Sequence, residues 1–153
     1  RPRLAAAHGR APRQVPGAAG KERNMTLRIL RLGTPRQKNE GVRIGTVRRP
    51  PRGVPKAEFA TGNWYDVWFP TLAPSPETMK LGLGAKTPED WDKCARKYRA
   101  EMASPQSAHA IELLATLSHT ADFSVGCYCE DESRCHRSIL GELFAAKGAK
   151  LEG

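Results

Sequence analysis

Apolar and polar positions change period along the chain, and the changes mark its elements. Leu27 and Ile29 alternate with Arg28, and Leu30 and Leu32 with Arg31, which predicts a short strand over 26–32. Gly33 to Gly41 is polar and turn-rich. Val42 to Val47 gives a second strand, interrupted at Gly45. Three prolines between Pro50 and Pro55 remove donors and fix φ, so that stretch is a loop. The aromatic run Trp64 to Phe69, closed by Pro70, reads as extended chain, and Leu72 to Ser75 leads into a short turn or helix over 76–80.

The helical half starts with a clear cap. Thr87 precedes Pro88, Glu89 and Asp90, which places an N-cap hydroxyl, a proline in the first helical position and acids in the first turn. Trp91, Cys94, Ala95, Tyr98 and Met102 then follow helical spacing between basic residues. Ser104-Pro105 repeats the start signal for a helix carrying Ala110, Ile111, Leu113, Leu114 and Leu117 and ending near Ser118. Phe123 to Cys129 is the best strand pattern in the chain. Ile139, Leu140, Leu143 and Phe144 set the period of a last helix, with Gly148 as its C-cap. Helices between strands imply crossover connections, hence a single α/β domain with a mostly parallel sheet covered by helices in layers.

With 153 residues the chain has the length of one domain. Its net charge of +9 suggests an anionic partner until it is divided along the sequence. Residues 1–24 hold six Lys/Arg and one Glu, residues 25–56 nine and one, and residues 57–153 ten against fourteen acids. The basic stretch from Arg43 to Lys56 therefore remains as a candidate nucleic-acid surface, while the rest of the domain is mildly acidic. Residues 1–24, built of Ala, Arg, Gly and Pro, read as a disordered lead-in, an upstream mis-start or a leader added for expression, with a mitochondrial-type presequence as the alternative. No apolar run reaches membrane-spanning length, so no membrane partner is expected. A cytoplasmic domain keeps its thiols reduced, which favours free, metal-bound or redox-active cysteines over structural disulfides.

Three of the four cysteines fall in one run, Cys127-Tyr-Cys129 and, after five residues, Cys135-His136-Arg137, at the junction of the last strand and last helix. Open α/β sheets bind ligands at such junctions. The run admits several chemistries. Cys127, Cys129, Cys135 and His136 are candidate ligands for zinc or iron, although residues i and i+2 of a regular strand lie about 6.6 Å apart, so the strand must break for both to reach one ion. Adjacent Cys135 and His136 diverge by about 100° on a helix, and the spacing is not the usual C-x2-C knuckle. Cys129, Cys135 and His136 are candidates for thiol or acid–base catalysis, with Cys135 favoured as thiolate by the helix start and its basic neighbours and opposed by Glu130, Asp131 and Glu132. A reversible Cys129–Cys135 pair is a further possibility, and plain packing fits Cys127 and Cys94. A tyrosine-phosphatase loop is excluded, since no cysteine is followed by five residues and an arginine.

A third chemistry needs no thiol. Free amides at the helix start with Arg134, Arg137 and His136 form a pocket for an anionic small molecule or nucleotide. Arg48, Arg49, Arg52 and Lys56 add a second basic wall, with Trp64 or Trp68 as a stacking surface.

Several stretches together resemble the YeaO-like branch of the domain of unknown function 488 family. They are Arg43-Ile44 with Arg49 to Lys56, then Trp64, Leu72 to Ser75, Trp91 with Lys97 to Glu101, and the final strand and helix. The likeness covers about residues 25 to 153. It implies a compact α/β domain of bacterial, cytosolic type with no established activity. In the wider family the final strand enters a Cys-acid loop followed by Cys-His-Arg, matched here by Cys129-Glu130 and Cys135-His136-Arg137. The chain departs from its branch at Arg49, where a tryptophan usually precedes the proline-arginine-glycine run.

Overall fold

The computed structural model describes residues 25–152. Four strands, β1 (Leu27–Arg31), β2 (Val42–Gly45), β3 (Val67–Trp68) and β4 (Phe123–Cys127), form one parallel sheet in the order β1-β4-β2-β3. Four α-helices accompany it, α1 (Pro76–Gly84), α2 (Pro88–Met102), α3 (Pro105–Leu117) and α4 (His136–Ala146), so the α/β expectation holds. None is long and apolar enough to cross a membrane. The lead-in at residues 1–24 lies outside the described residues.

β4 is flanked on both sides and every residue in it is buried, as a central parallel strand requires. Phe123 and Val125 join Leu27, Tyr98, Met102, Ile111, Ile139, Leu140 and Phe144 in the main core between sheet and helices. Two strand glycines permit close packing over the sheet. A Cβ at Gly45 would stand 2.4 Å from a carbon of the Tyr65 ring, and one at Gly126 would stand 2.7 Å from Leu32 Cδ2. Neither strand could carry a side chain there without displacing its neighbour.

The helix starts follow their sequence signals. Thr87 and Asp90 form a reciprocal capping box at α2, and the Ser75 hydroxyl accepts from Thr78 N at α1. Ser104 begins α3 without a side-chain cap bond. β4 stops at Cys127, two residues before the end of its apolar pattern. β3 is likewise shorter than the aromatic run suggested, because Tyr65 turns inward onto Gly45 and Phe69 packs against the main core.

All strands being parallel, their C-terminal ends share one edge of the sheet. A second, smaller core sits there, formed by Leu32, Val47, Tyr65, Cys127 and Cys135. It carries the site.

Candidate functional site

The chain bends directly after β4, and that bend makes the site. Leu32 N donates to Cys127 O at 2.8 Å, the last bond of the ladder, and the chain then folds through Tyr128 so that Cys129 returns toward Cys127. Their sulfurs are 3.6 Å apart. A 3-10 turn over Glu132–Arg134, capped by Asp131 accepting from Ser133 N, carries the chain to Cys135, the N-cap of α4. As a result the Sγ atoms of Cys127, Cys129 and Cys135 lie within 4.8 Å of one another. The strand break that a shared metal requires is present. The three-sulfur cluster could hold a metal ion.

The three sulfurs differ in environment. Cys127 and Cys135 are buried, while Cys129 is exposed, and none is in a disulfide. Thiol donation from Cys127 and Cys135 holds Cys129 far below its ordinary value, with the positive charge of Arg137 adding to the effect. Donation to Cys129 pushes Cys127 up to about 11, and Cys135 is driven up further by its sulfur neighbours and by burial. The arrangement thus favours negative charge on Cys129 over Cys127 and Cys135.

His136 stands beside the cluster and outside it. Its Nε2 bonds Thr46 O at 2.8 Å, which makes Nε2 the protonated nitrogen and leaves the Nδ1 lone pair 3.9 Å from Cys135 Sγ. The ring also meets the Tyr98 ring edge-on with centroids 5.4 Å apart. Burial lowers its pKa to about 4, so it is a neutral imidazole at pH 7. Thr46 is itself fixed from β4, since its N and Oγ1 both donate to Gly126 O, at 3.1 and 3.0 Å. β4 thus sets both the sulfurs and, through Thr46, the imidazole.

These groups line the floor of a cleft of about 690 Å³ at the C-terminal edge of the sheet. Its charged lining is Arg31, Arg48, Arg49, Arg52 and Arg134, with no acidic residue among them. Arg48 is committed to structure, because Nε and Nη2 donate to Pro74 O and Ala73 O at 3.0 and 3.2 Å. Arg31 donates to Tyr128 O and faces Glu130 at 3.4 Å. Arg49, Arg52 and Arg134 are exposed, and Arg134 is close enough to Asp131 for its charge to help lower that carboxyl below its ordinary value. Trp64 and Tyr128, packed edge-to-face at 5.9 Å, form one apolar wall, and Met79, Leu83 and Trp91 another.

The remaining sequence candidates fall elsewhere. Arg137 is 5% exposed and lies outside the cleft lining, its guanidinium pointing to Glu130 O at 3.5 Å with Nε buried and unpartnered. Trp68 also lies outside the cleft and donates to Val47 O. Cys94 is buried at the cleft wall, where its thiol meets Thr78 O. The basic stretch is not one surface. Arg43 is fully buried, paired with Glu40 at 2.7 Å and donating to Thr34 O and Asn63 O. With Arg48 tied down as well, Arg49, Arg52 and Lys56 are the exposed basic residues left in it. Sequence reasoning missed Arg31, Tyr128, Met79 and Leu83 as cleft residues, and spacing held no signal for them, since the cleft is assembled from loops distant in sequence.

No curated protein and no solved structure matches the chain. A family model described as the active DUF488-N3 subclade does match, over residues 27–148, and the chain therefore belongs to the DUF488 family.

Proposed function

We propose that the protein is a metal-dependent enzyme whose centre is a single zinc ion bound by Cys127, Cys129 and Cys135, with its fourth coordination position turned to the arginine-lined cleft. The convergence of the three sulfurs carries this reading. Tetrahedral zinc about 2.3 Å from each sulfur sets them about 3.8 Å apart. The observed 3.6 Å between Cys127 and Cys129 is close to that spacing. Three protein ligands with one open position is the catalytic zinc pattern, whereas structural sites close all four. Iron–sulfur clusters ordinarily take four cysteines, so three favour a mononuclear ion. Zinc would supply Lewis acidity at the cleft floor. His136 offers Nδ1 as a proton acceptor beside it, and Arg49, Arg52 and Arg134 offer donors for an anionic substrate.

Elemental analysis of untagged protein, paired with a thiol count, tests this. The expected result is one equivalent of zinc, released by a chelator as the cluster thiols become reactive, with cobalt substitution producing thiolate-to-metal charge-transfer bands. Metal-free protein that also fails to take up added zinc would exclude the centre.

Cys129 supports a second reading, because it alone of the three is exposed and it stands against two thiol donors. In that case it is a metal-free nucleophile. Metal-free protein alkylated at Cys129 ahead of the other thiols at neutral pH would select this reading over the first.

A further inference from the structure

We infer that the cleft is a binding site for a free nucleotide, its aromatic base lying on the apolar walls and its phosphate held by Arg49, Arg52 and Arg134. This names the substrate class of the same cleft. It rests on the proposed function only for what happens after binding, since none of the residues invoked is a cluster cysteine.

Charge is the first observation. The cleft has five arginines and no acid, in a domain whose residues 57–153 carry more acids than bases, so positive charge is concentrated where a ligand enters. Arg48 is engaged by backbone carbonyls and Arg31 by a carbonyl and Glu130, which leaves the exposed Arg49 and Arg52, with Arg134 beside the exposed Asp131, to meet an anion. Arginine forks fit phosphate oxygens in pairs.

Shape is the second. A cleft of about 690 Å³ is far larger than an inorganic phosphate needs and falls within the range of pockets for drug-sized ligands, about 300–1,000 Å³. Most of its remaining lining is apolar or aromatic. Trp64, Trp91 and Tyr128 are each half-buried there, and Leu83 stands 85% exposed at the cleft. Leu83 and the half-buried rings together give the cleft an apolar surface on which a flat apolar group can lie. A ligand with one planar apolar part and one multiply anionic part matches both halves of the lining.

The walls also favour a free nucleotide over a strand. A strand needs a basic track running on beyond the stacking site. Here Arg43 is buried and Arg48 is bonded inward, so the basic residues stay at the cleft.

Titration calorimetry of the intact protein with AMP, GMP, CMP and UMP tests the inference, with adenosine, inorganic phosphate and a single-stranded ten-nucleotide DNA run in parallel. At least one mononucleotide is expected to bind with one-to-one stoichiometry, at least tenfold tighter than its nucleoside or phosphate alone. Arg49→Ala and Arg52→Ala together should weaken it at least tenfold. Leu83→Glu, a change at an exposed position that leaves the fold intact, should weaken it severalfold by placing a negative charge at the cleft. Chelator-treated protein should still bind, which separates this site from the metal centre. Absence of saturable binding by any mononucleotide up to about 5 mM, weaker than a specific site should be, overturns the inference. So does binding of the DNA alone, or phosphate binding as tight as the nucleotide's.

Discussion

Arg43 offers the sharpest energetic test of the division between structural and ligand-facing arginines. The Arg43→Met substitution keeps the apolar stem and removes the guanidinium. In the folded protein that group is wholly buried, pairs with Glu40 at 2.7 Å, and donates to Thr34 O at 2.8 Å and Asn63 O at 2.6 Å. Its loss strands a carboxylate that is itself 3% exposed, together with two carbonyls. Removing one partner of a buried pair costs about 3–5 kcal/mol. The pair is held by one contact, with Glu40 Oε2 and Arg43 Nε both unpartnered, which places this case near the lower end, about 3 kcal/mol. Domains of this size are stable by about 5–15 kcal/mol, so the loss is a large share of the total. In urea, with a slope of about 2 kcal/mol/M, the midpoint should fall by about 1.5 M. Removing both charges with Glu40→Leu and Arg43→Met leaves only the carbonyls unsatisfied, and this double variant should recover about half of the loss. Tryptophan fluorescence reports the transition, since Trp64 adjoins Asn63. A single variant within about 1 kcal/mol of the parent, or a double variant no better than the single, would refute the assignment of Arg43 to the fold.

Three further outcomes are expected. Gly45→Ala should lower stability by about 1–3 kcal/mol in urea, because its Cβ would stand 2.4 Å from the Tyr65 ring and the neighbouring sheet cannot yield freely. Burial pushes Asp66 up more than any one neighbour lowers it, but Arg36, at 2.8 and 3.0 Å, and Arg43, whose N–H donates at 2.8 Å, together hold it below its ordinary value. A depressed carboxylate contributes stability above its unfolded value of about 3.9 and loses it as pH falls through the folded value. Asp66→Asn should therefore cost stability at pH 6 and converge on the parent below about pH 4, read from urea midpoints across the series. Free zinc at about 1,000 times its dissociation constant should stabilise the metal-free parent by about 4 kcal/mol, and Cys135→Ser should lose most of that gain.

What could be read from the sequence was what local chemistry decides. The Thr87 and Asp90 capping box, the apolar face of α2 and the burial of β4 needed no tertiary information. α1 runs on to Gly84, past the short turn or helix that the sequence predicts over 76–80; Gly82 lowers helix propensity, but a Cβ there would press on Cys94 Sγ at 3.3 Å, so packing decides it. Charge counting could not show that Arg43 faces inward. β2 inverts the usual polarity, with Val42 exposed and Arg43 buried, and Glu40 three residues earlier was the one available sign. The crowding of cysteines located the site, but their convergence depends on where β4 stops, and the ladder bond from Leu32 to Cys127 O is a contact between residues 95 positions apart.

The strand order explains why cluster and cleft coincide. β4 comes last in the chain but lies between β1 and β2, so at its C-terminal end the loops leaving those two neighbours pass on either side of it. One brings Arg31 and Leu32, the other Val47 to Arg52, and both line the cleft. The gap between diverging loops is where parallel sheets bind ligands, and it exists whatever residues fill it. What this chain adds is a floor that turns back on itself, placing three sulfurs at the base of the gap and fixing His136 to Thr46 from the β2 side. Gly126 is essential to that placement, because it lets Leu32 close over β4 one residue before the cysteines begin. A substitution at Gly126 should therefore disturb cluster chemistry as well as stability, and one at Gly45, whose clash is with Tyr65 of the same small core, should do so less directly.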